Sequence, residues 1–508
     1  MNSWAHPVLS CEETRALEAR LFGGDEAKEW PAMQRAGRAI ADAVLLDFQE
    51  IGGFPATGRI LVLVGKGHNG GDALLAVHAI LERYPAATAD VVFAFGERAL
   101  RPLARRAWQD LAHAVGERGQ IGSSGELNAA TGDYALCLDG VFGFQFHPPM
   151  PAEVAALFAT VKARSIRLRA AVDLPSGLHE ESARNDAVLA ADFTYATGSV
   201  KTPVVNGTNA EWVGRLRYLD LGFFDQDVPP SRLRILTPAV LAPLGRLRSP
   251  VADKRDFGHV LVLGGSRDYP GAVLMTVQAA LRSGAGLVTA FVPESLAPAF
   301  AARAPEAMWV GWPETPIGGL AVEGIFLLRR RLEKAGALVI GPGLGSETET
   351  LALIMEVVRT AMVPLVLDAD ALQADIVRVG TAPRVLTPHL GELRRILEPG
   401  DFYRTPAGSA AIVVVKGRLT GVTTGGRAGY YSLFGGPVLA RGGSGDLLAG
   451  ITGTMLAQSK GDLLLAASRG VVWHGLAADA LARAHGQVAV STTQLLDFLP
   501  ATLRAAAE

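Results

Sequence analysis

The aliphatic run Arg59–Val64 stops at a turn dense in glycine, Gly65-Lys66-Gly67-His68-Asn69-Gly70-Gly71-Asp72, and a helix-like stretch, ALLAVHAILER, follows at once. Short aliphatic run, polar turn and helical spacing recur in that order along the chain, and this constrains the fold more than any other feature. The pattern belongs to α/β domains with parallel sheets covered by helices. In the first half strands are expected at Arg59–Val64, Asp90–Phe95, Tyr134–Leu138 and Arg169–Val172, with helical spacing over Glu12–Phe22 and Met33–Phe48. A second series runs through His259–Leu263, Leu287–Val292, Ala337–Ile340, Leu365–Leu367, Arg384–Leu386 and Ile412–Val415. It ends in helices near Asp446–Ala457, Asp462–Ala484 and Thr493–Ala506. The break near Asp225–Arg234, with paired prolines and mixed charges, marks the boundary. Residues 1–226 are expected as one domain, 227–235 as a linker and 236–508 as the second, since 508 residues exceed one ordinary core.

Composition closes off several classes. A net charge of −2 gives no general basic face for nucleic acid. Two cysteines, Cys11 and Cys137, make neither a disulfide framework nor a cysteine zinc site and suit a reducing compartment. The opening MNSWAHPVLSCEETRALEARL is not read as a secretory signal, and no apolar run reaches membrane-spanning length. A cytoplasmic protein with no membrane and no nucleic-acid partner is expected.

In a strand–turn–helix context, backbone N–H groups at the helix start can hold an anion. The first turn lacks the GxGxxG spacing, and Asn69 and Asp72 add polar groups that a tight turn does not need. The ordinary alternative is a βα turn with Asp72 as helix N-cap. Asp139 opens DGVFGFQF and Asp173 opens DLPSG, each just after an expected strand. Either could be a turn residue alone, but strand C-termini of a parallel sheet form the ligand crevice, so the three turns are expected to converge.

Together GKGHNGGD, DGVFGFQF and VDLPSG resemble the NAD(P)H-hydrate epimerase family, the YjeF N-terminal domain, over roughly residues 10–225. That family's loop normally has two asparagines before GGDG; here His68 stands at the first and Ala73 follows Asp72. The resemblance implies a Rossmann-like three-layer αβα domain and a potassium site at Asn69, Asp139 and Ser176. It implies substrate contacts from His68, Asn69, Gly70, Gly71 and Asp72, from Gly143, Phe144, Gln145, Phe146, His147, Pro148 and Pro149, and from Asp173. Lys201, in SVKTPV, lies in a segment like the family's. Epimerisation at ring carbon 6 would let Asp173 act as general acid and base.

The second site centres on Gly442-Gly443-Ser444-Gly445-Asp446, followed by LLAGITGTML. Three glycines open an apolar helix whose first N–H groups can meet an anion. An aspartate there is a poor neighbour for phosphate unless it faces a reacting hydroxyl; the ordinary alternative is a charge favouring the helix dipole. GGSGD resembles the anion-hole loop of ribokinase-like folds. With LGGSRDYPGAVLMTVQAALRSGAGLV, IGPGLG, LDADAL, LTPHLGEL and VKGRLT in order, residues 236–505 resemble the ADP/ATP-dependent NAD(P)H-hydrate dehydratases. The resemblance implies substrate contacts at Ala272, Gly345, His389 and Asp446. It implies nucleotide contacts at Lys416, Gly417, Arg418, Leu419, Thr420 and Gly445 and an anion hole of Gly442, Gly443, Ser444 and Gly445. Taken singly, Lys416 could be a solvated strand end, His389 a satisfied turn histidine and Gly341–Gly345 a turn. Glu398–Ala410 is shorter than the corresponding family segment, and a trimmed peripheral helix is expected there.

The implied chemistry is phosphorylation of the ring hydroxyl by ATP or ADP with magnesium, Asp446 as base, followed by loss of phosphate to restore NAD(P)H. The partners are then NADHX, NADPHX and ADP or ATP, and self-association is expected of such a chain. Three alternatives stand beside this reading. One is a ribokinase-like kinase of a small alcohol such as a hydroxymethylpyrimidine. Another is a dehydratase whose first domain is a non-catalytic binding module, the reading that His68 favours. The third, a nicotinamide-dependent dehydrogenase, is disfavoured because neither loop has the GxGxxG spacing.

Overall fold

The computed structural model describes residues 4–116, 119, 121–123, 133–182, 187–225, 228–396, 411–424, 429–459 and 461–506. They form two compact units, one built on His6–Ser231 and the other on Arg232–Ala482. The first unit's sheet is all parallel and the second's is mostly parallel.

In the first unit the strand order is Ile121–Ser123, Thr88–Phe93, Arg59–Val64, Tyr134–Gly140, Ile166–Val172, Phe193–Thr197, Arg215–Leu219, and every neighbouring pair is parallel. Alternate residues of Arg59–Val64 face different cores. Ile60, Val62 and Val64 pack with helices Glu26–Phe48, His68–Arg83 and Pro102–Val115, whereas Leu61 and Leu63 pack with helix Ala152–Lys162. Helices therefore cover both faces, which is why the strand reads as an unbroken apolar run. Chain order reverses between Arg59–Val64 and Tyr134–Gly140, and the crevice beyond their C-terminal ends is where an α/β sheet binds its ligand. Gly65 is required there: a Cβ on it would lie 1.9 Å from the Val141 carbonyl oxygen.

Two expectations change here. The helix after the glycine-dense turn begins at His68, not at Ala73, with Gly67 as an N-cap that makes no side-chain bond. Asp72 is therefore the fifth residue of the helix and not its N-cap. The glycines let the turn wind early, since a Cβ on Gly70 would lie 2.4 Å from the Gly65 carbonyl oxygen. Helix Glu26–Phe48 likewise starts seven residues before Met33, capped by Asp25 through the Ala27 N–H at 2.9 Å, with Pro31 inside it.

In the second unit the order is Met308–Trp312, Leu287–Pro293, His259–Leu263, Ala337–Ile340, Leu365–Leu367, Arg384–Leu386, Ala411–Val415, all parallel, then Thr420–Thr423 and Gly429–Ser432 antiparallel, with Leu233–Leu236 pairing parallel to Gly429–Ser432. Leu233–Leu236 starts inside the segment expected as linker. The chain-order reversal lies between His259–Leu263 and Ala337–Ile340. Helices Pro270–Arg282 and Ser444–Gln458 approach closely because Gly450 has no Cβ; one would lie 2.2 Å from the Thr276 carbonyl oxygen. Residues 398–410, where a trimmed helix is expected, lie outside the described residues.

Candidate active sites

The first crevice is a cavity of about 530 Å³. Its lining includes His68, Asn69 and Asp72 from the helix start, Gly143, Phe144, Gln145, Phe146, His147 and Pro149 from the turn after Tyr134–Gly140, and Asp173 from the turn after Ile166–Val172. The three turns converge as the crevice geometry requires. Pro148, Gly70 and Gly71 are not among the lining residues; Gly71 instead packs tightly on helix Glu26–Phe48, where a Cβ would lie 2.8 Å from Met33 Sδ.

Asp173 sits at the bend with φ of 66°, a conformation that Asp and Asn adopt more readily than most residues. Its Oδ1 accepts from Lys201 Nζ and, at 3.3 Å each, from the Thr197 N–H and hydroxyl. Lys201 also donates to the carbonyls of Thr197 at 3.0 Å and Ser199 at 2.9 Å, and its side chain is 1% exposed. The ion pair is thus buried and hydrogen-bonded on both sides. Next to it, Asp72 is buried and its Oδ1 finds no hydrogen-bond partner among the described residues. Burial, followed by the negative charges of Asp173 and Glu18, holds its carboxyl well above the ordinary value. His68 Nε2 lies 3.3 Å from Glu29 Oε2 on helix Glu26–Phe48.

Asn69, Asp139 and Ser176 also come together. Asp139 Oδ1 accepts from the Ser176 hydroxyl at 2.6 Å and the Val141 N–H at 3.2 Å, and Oδ2 from the Ser176 N–H at 2.8 Å. The Phe142 N–H donates to Ser176 Oγ at 2.8 Å, while its carbonyl accepts from Asn69 Nδ2 at 2.8 Å. Burial pushes Asp139 up to about 6 against these bonds, all of which come from neutral donors. A buried carboxylate without a cationic partner among these contacts, beside carbonyl, amide and hydroxyl oxygens, is a donor set suited to a hard cation.

In the second unit, helix Ser444–Gln458 starts after Gly443, whose φ is 88°. Asp446 is half-buried on the first turn. Its carbonyl accepts from the Thr276 hydroxyl at 3.1 Å, and that hydroxyl also lies 3.1 Å from the Ala272 carbonyl. One buried threonine thereby ties together two expected substrate-site residues. Burial and then the charge of Asp368 push the Asp446 carboxyl up to about 7, with Lys416 pulling back and Asp370 and Glu392 adding to the rise.

Lys416 is no solvated strand end: its Nζ lies 2.9 Å from Asp368 Oδ1 and 3.7 Å from Glu392 Oε2. Burial opposes its charge, but these carboxylates outweigh it and hold its pKa above the ordinary lysine value. A Cβ on Gly445 would lie 3.1 Å from that ammonium, so the lysine reaches the glycine loop. Gly417, Arg418, Leu419 and Thr420 continue from it around the turn into strand Thr420–Thr423, with Gly417 and Arg418 exposed. The Gly345 N–H donates to Asp370 Oδ2 at 2.9 Å. His389 also serves the turn, its Nδ1 accepting from the N–H groups of Gly391 at 2.9 Å and Glu392 at 3.1 Å.

Several residues emerge only in the fold. Asp368, Asp370 and Glu392 lay within quoted motifs but without roles. Glu18 and Thr197 line the first cavity with no local signal. His474, buried on helix Leu463–His485, is pushed down to about 4 by burial despite a bond to the Ser444 backbone, and its Nε2 has no partner among the described residues.

Residues 260–501 match the family described as NAD(P)H-hydrate dehydratase, and residues 31–203 match the YjeF-related protein N-terminus. The bifunctional NAD(P)H-hydrate repair enzyme Nnr of Gloeobacter violaceus is 35% identical, over 97% of this chain and 97% of that one. Its counterpart in Moorella thermoacetica is 34% identical, over 93% and 92%. Among solved structures, an ADP/ATP-dependent NAD(P)H-hydrate dehydratase from Bacillus subtilis, co-crystallized with ATP/Mg2+, is similar with 27% identity and a TM-score of 0.43, covering 51% of this chain and 94% of that chain.

Proposed function

The chain belongs to the bifunctional NAD(P)H-hydrate repair enzymes, and from that membership we propose how its two sites divide the work. The first unit, a Rossmann-like domain, interconverts the R and S forms of NADHX and NADPHX; the second, ribokinase-like, dehydrates the S form at the cost of ATP or ADP. The observation that carries the second assignment is Asp446, a half-buried carboxylate pushed up to about 7 on the first turn of a helix opened by glycines. There Asp446 takes the proton of the ring hydroxyl as its oxygen attacks the terminal phosphorus. The Gly442–Gly445 amides and Lys416 receive the charge that develops on the phosphoryl oxygens. The C6–O bond of the resulting ester breaks with the ring nitrogen's lone pair, phosphate departs, and loss of a C5 proton restores the dihydropyridine. Asp368, Asp370, Glu392 and Asp446 outnumber the cations Lys416 and Arg395 at this end of the crevice, so a polyanionic nucleotide fits there with a cation. Magnesium bound to the nucleotide supplies that neutralising charge.

In the first site Asp173 is the charge that faces the ring cation formed when hydroxide leaves C6. Potassium bound by Asn69, Asp139 and Ser176 supplies a fixed positive charge there. Exchanging potassium for lithium is expected to slow conversion of the R form several-fold; a rate indifferent to the cation removes potassium from the reading. Asp173→Asn is expected to cost R/S interconversion about 100-fold or more while dehydration of preformed S continues. An unchanged interconversion rate rules out the Asp173 role.

The direct test mixes R and S NADHX with the protein, magnesium, potassium and ATP or ADP and follows absorbance of regenerated NADH. Complete conversion faster than spontaneous epimerisation supports both assignments. Conversion that stops when S is spent leaves the first unit a binding module, and phosphorylated product that accumulates without elimination points to a small-alcohol kinase. Among the described residues no helix is long and apolar enough to cross a membrane, and Cys11 and Cys137 are free thiols, which supports a cytoplasmic setting.

A further inference from the structure

Glu18 is carried by helix Cys11–Phe22, whose start is fixed by a reciprocal cap: the Glu13 N–H donates to Ser10 Oγ at 3.0 Å and the Ser10 N–H to Glu13 Oε2 at 2.7 Å. Its side chain lines both the 530 Å³ cavity and an adjoining one of about 250 Å³, so it stands where the two meet. Asp72 and Thr197 line both as well. The charged and titratable groups around Glu18 are Arg15 on its own helix, Glu29 on helix Glu26–Phe48, His68 and Asp72 on helix His68–Arg83, Asp173 at the strand end, and Lys201.

We infer that Glu18 delivers and recovers the proton of the departing hydroxyl in the epimerase reaction, with the Asp72 carboxyl as a hydrogen-bond donor to the substrate from the same wall. The inference rests on the reading of this cavity as the epimerase site. Its ground is a division of labour among three carboxyl groups. Asp173 is committed as the charge partner of Lys201, its Oδ1 accepting from Lys201 and from the Thr197 N–H and hydroxyl. Asp72 is buried, with an oxygen that has no partner among the described residues and a place on the cavity wall, an arrangement that a ligand acceptor satisfies. Glu18 is half-buried at the mouth between two cavities and can exchange with solvent. Burial pushes it up to about 7, with Lys201 pulling back and Asp173 and Glu29 adding to the rise, so it is poised near neutrality.

The step balances without oxidant or reductant. The C6–O bond breaks, its electron pair leaving with oxygen, which takes the Glu18 proton and departs as water. The ring nitrogen's lone pair forms the N=C6 bond of the cation. Water then adds to the opposite face, the N=C6 pair returns to nitrogen, and the proton that the water sheds restores Glu18 through cavity water.

The test follows R-to-S conversion by the full-length protein from pH 6 to 8.5, read as the slow NADH phase after the S form is spent, with the fast S phase as internal control. Because the acid form of Glu18 is required, kcat/KM of the slow phase is expected to fall about tenfold per pH unit above about 7. Glu18→Gln is expected to lose about 100-fold or more and to have no such limb. A wild-type slow phase flat over this range overturns the inference without any variant. Glu18→Gln within threefold of wild type, or keeping the limb, overturns it too. If the unmodified protein shows no slow phase above the spontaneous rate, the epimerase reading itself falls and takes this inference with it, an outcome recognisable because it precedes any substitution.

Discussion

Asp446→Asn is expected to cut nucleotide-dependent dehydration of S-NADHX by about 10²–10⁴-fold and to leave R/S interconversion running. The amide keeps the size and can hydrogen-bond the ring hydroxyl but cannot take its proton. The first-turn contacts survive, since the Thr276 bond goes to the Asp446 carbonyl and not to its side chain. The base must be ionised, and burial with Asp368 nearby has pushed it up to about 7. Dehydratase kcat/KM for free enzyme therefore rises about tenfold per unit up to that point and then levels. A variant that retains more than a tenth of wild-type rate, or a profile with no acid limb, removes Asp446 from the role of base.

Lys201→Met destabilises the first unit by about 3–5 kcal/mol, because it strands a buried carboxylate together with the Thr197 and Ser199 carbonyls that the ammonium had satisfied. For a domain of this size that is a fall in Tm on the order of 10 °C in the transition assigned to it. The double change Lys201→Met with Asp173→Asn removes the stranded charge, and asparagine tolerates the φ of 66°. It is expected to regain part of the stability and none of the epimerase rate. Equal melting of the single and double variants would show that the charge was not the cause.

Strands buried on both faces were legible without the structure. His259–Leu263 and Ala337–Ile340 are continuous apolar runs because each alternate side chain has its own core to enter. Phe193–Thr197 and Arg215–Leu219 were not, because they mix threonine or arginine with apolar residues, and Thr194 belongs to the interior only through its bond to the Val213 carbonyl at 2.7 Å. The site was legible to the extent that it lies in turns next to strands: Asp139, Asp173 and Asp446 announce themselves by position. Glu18 does not, being one of several charges in an amphipathic helix, and only the fold brings it to the cavity. Lys416 was assigned to the nucleotide, but its salt bridge to Asp368, 48 residues earlier, has no local trace. His389 shows the converse. It matches a substrate position in its motif, yet in the fold its Nδ1 caps the helix that follows, a role the motif alone does not reveal.

Gly450 has a consequence for how exactness is maintained in the second site. It lets two helices touch backbone to backbone, and one turn away Thr276 ties the carbonyl of Ala272 to that of Asp446. The spacing between the backbones of Ala272 and Asp446 is then gauged by main-chain contact and one threonine hydroxyl. A residue with no side chain at all serves as the gauge block for that spacing.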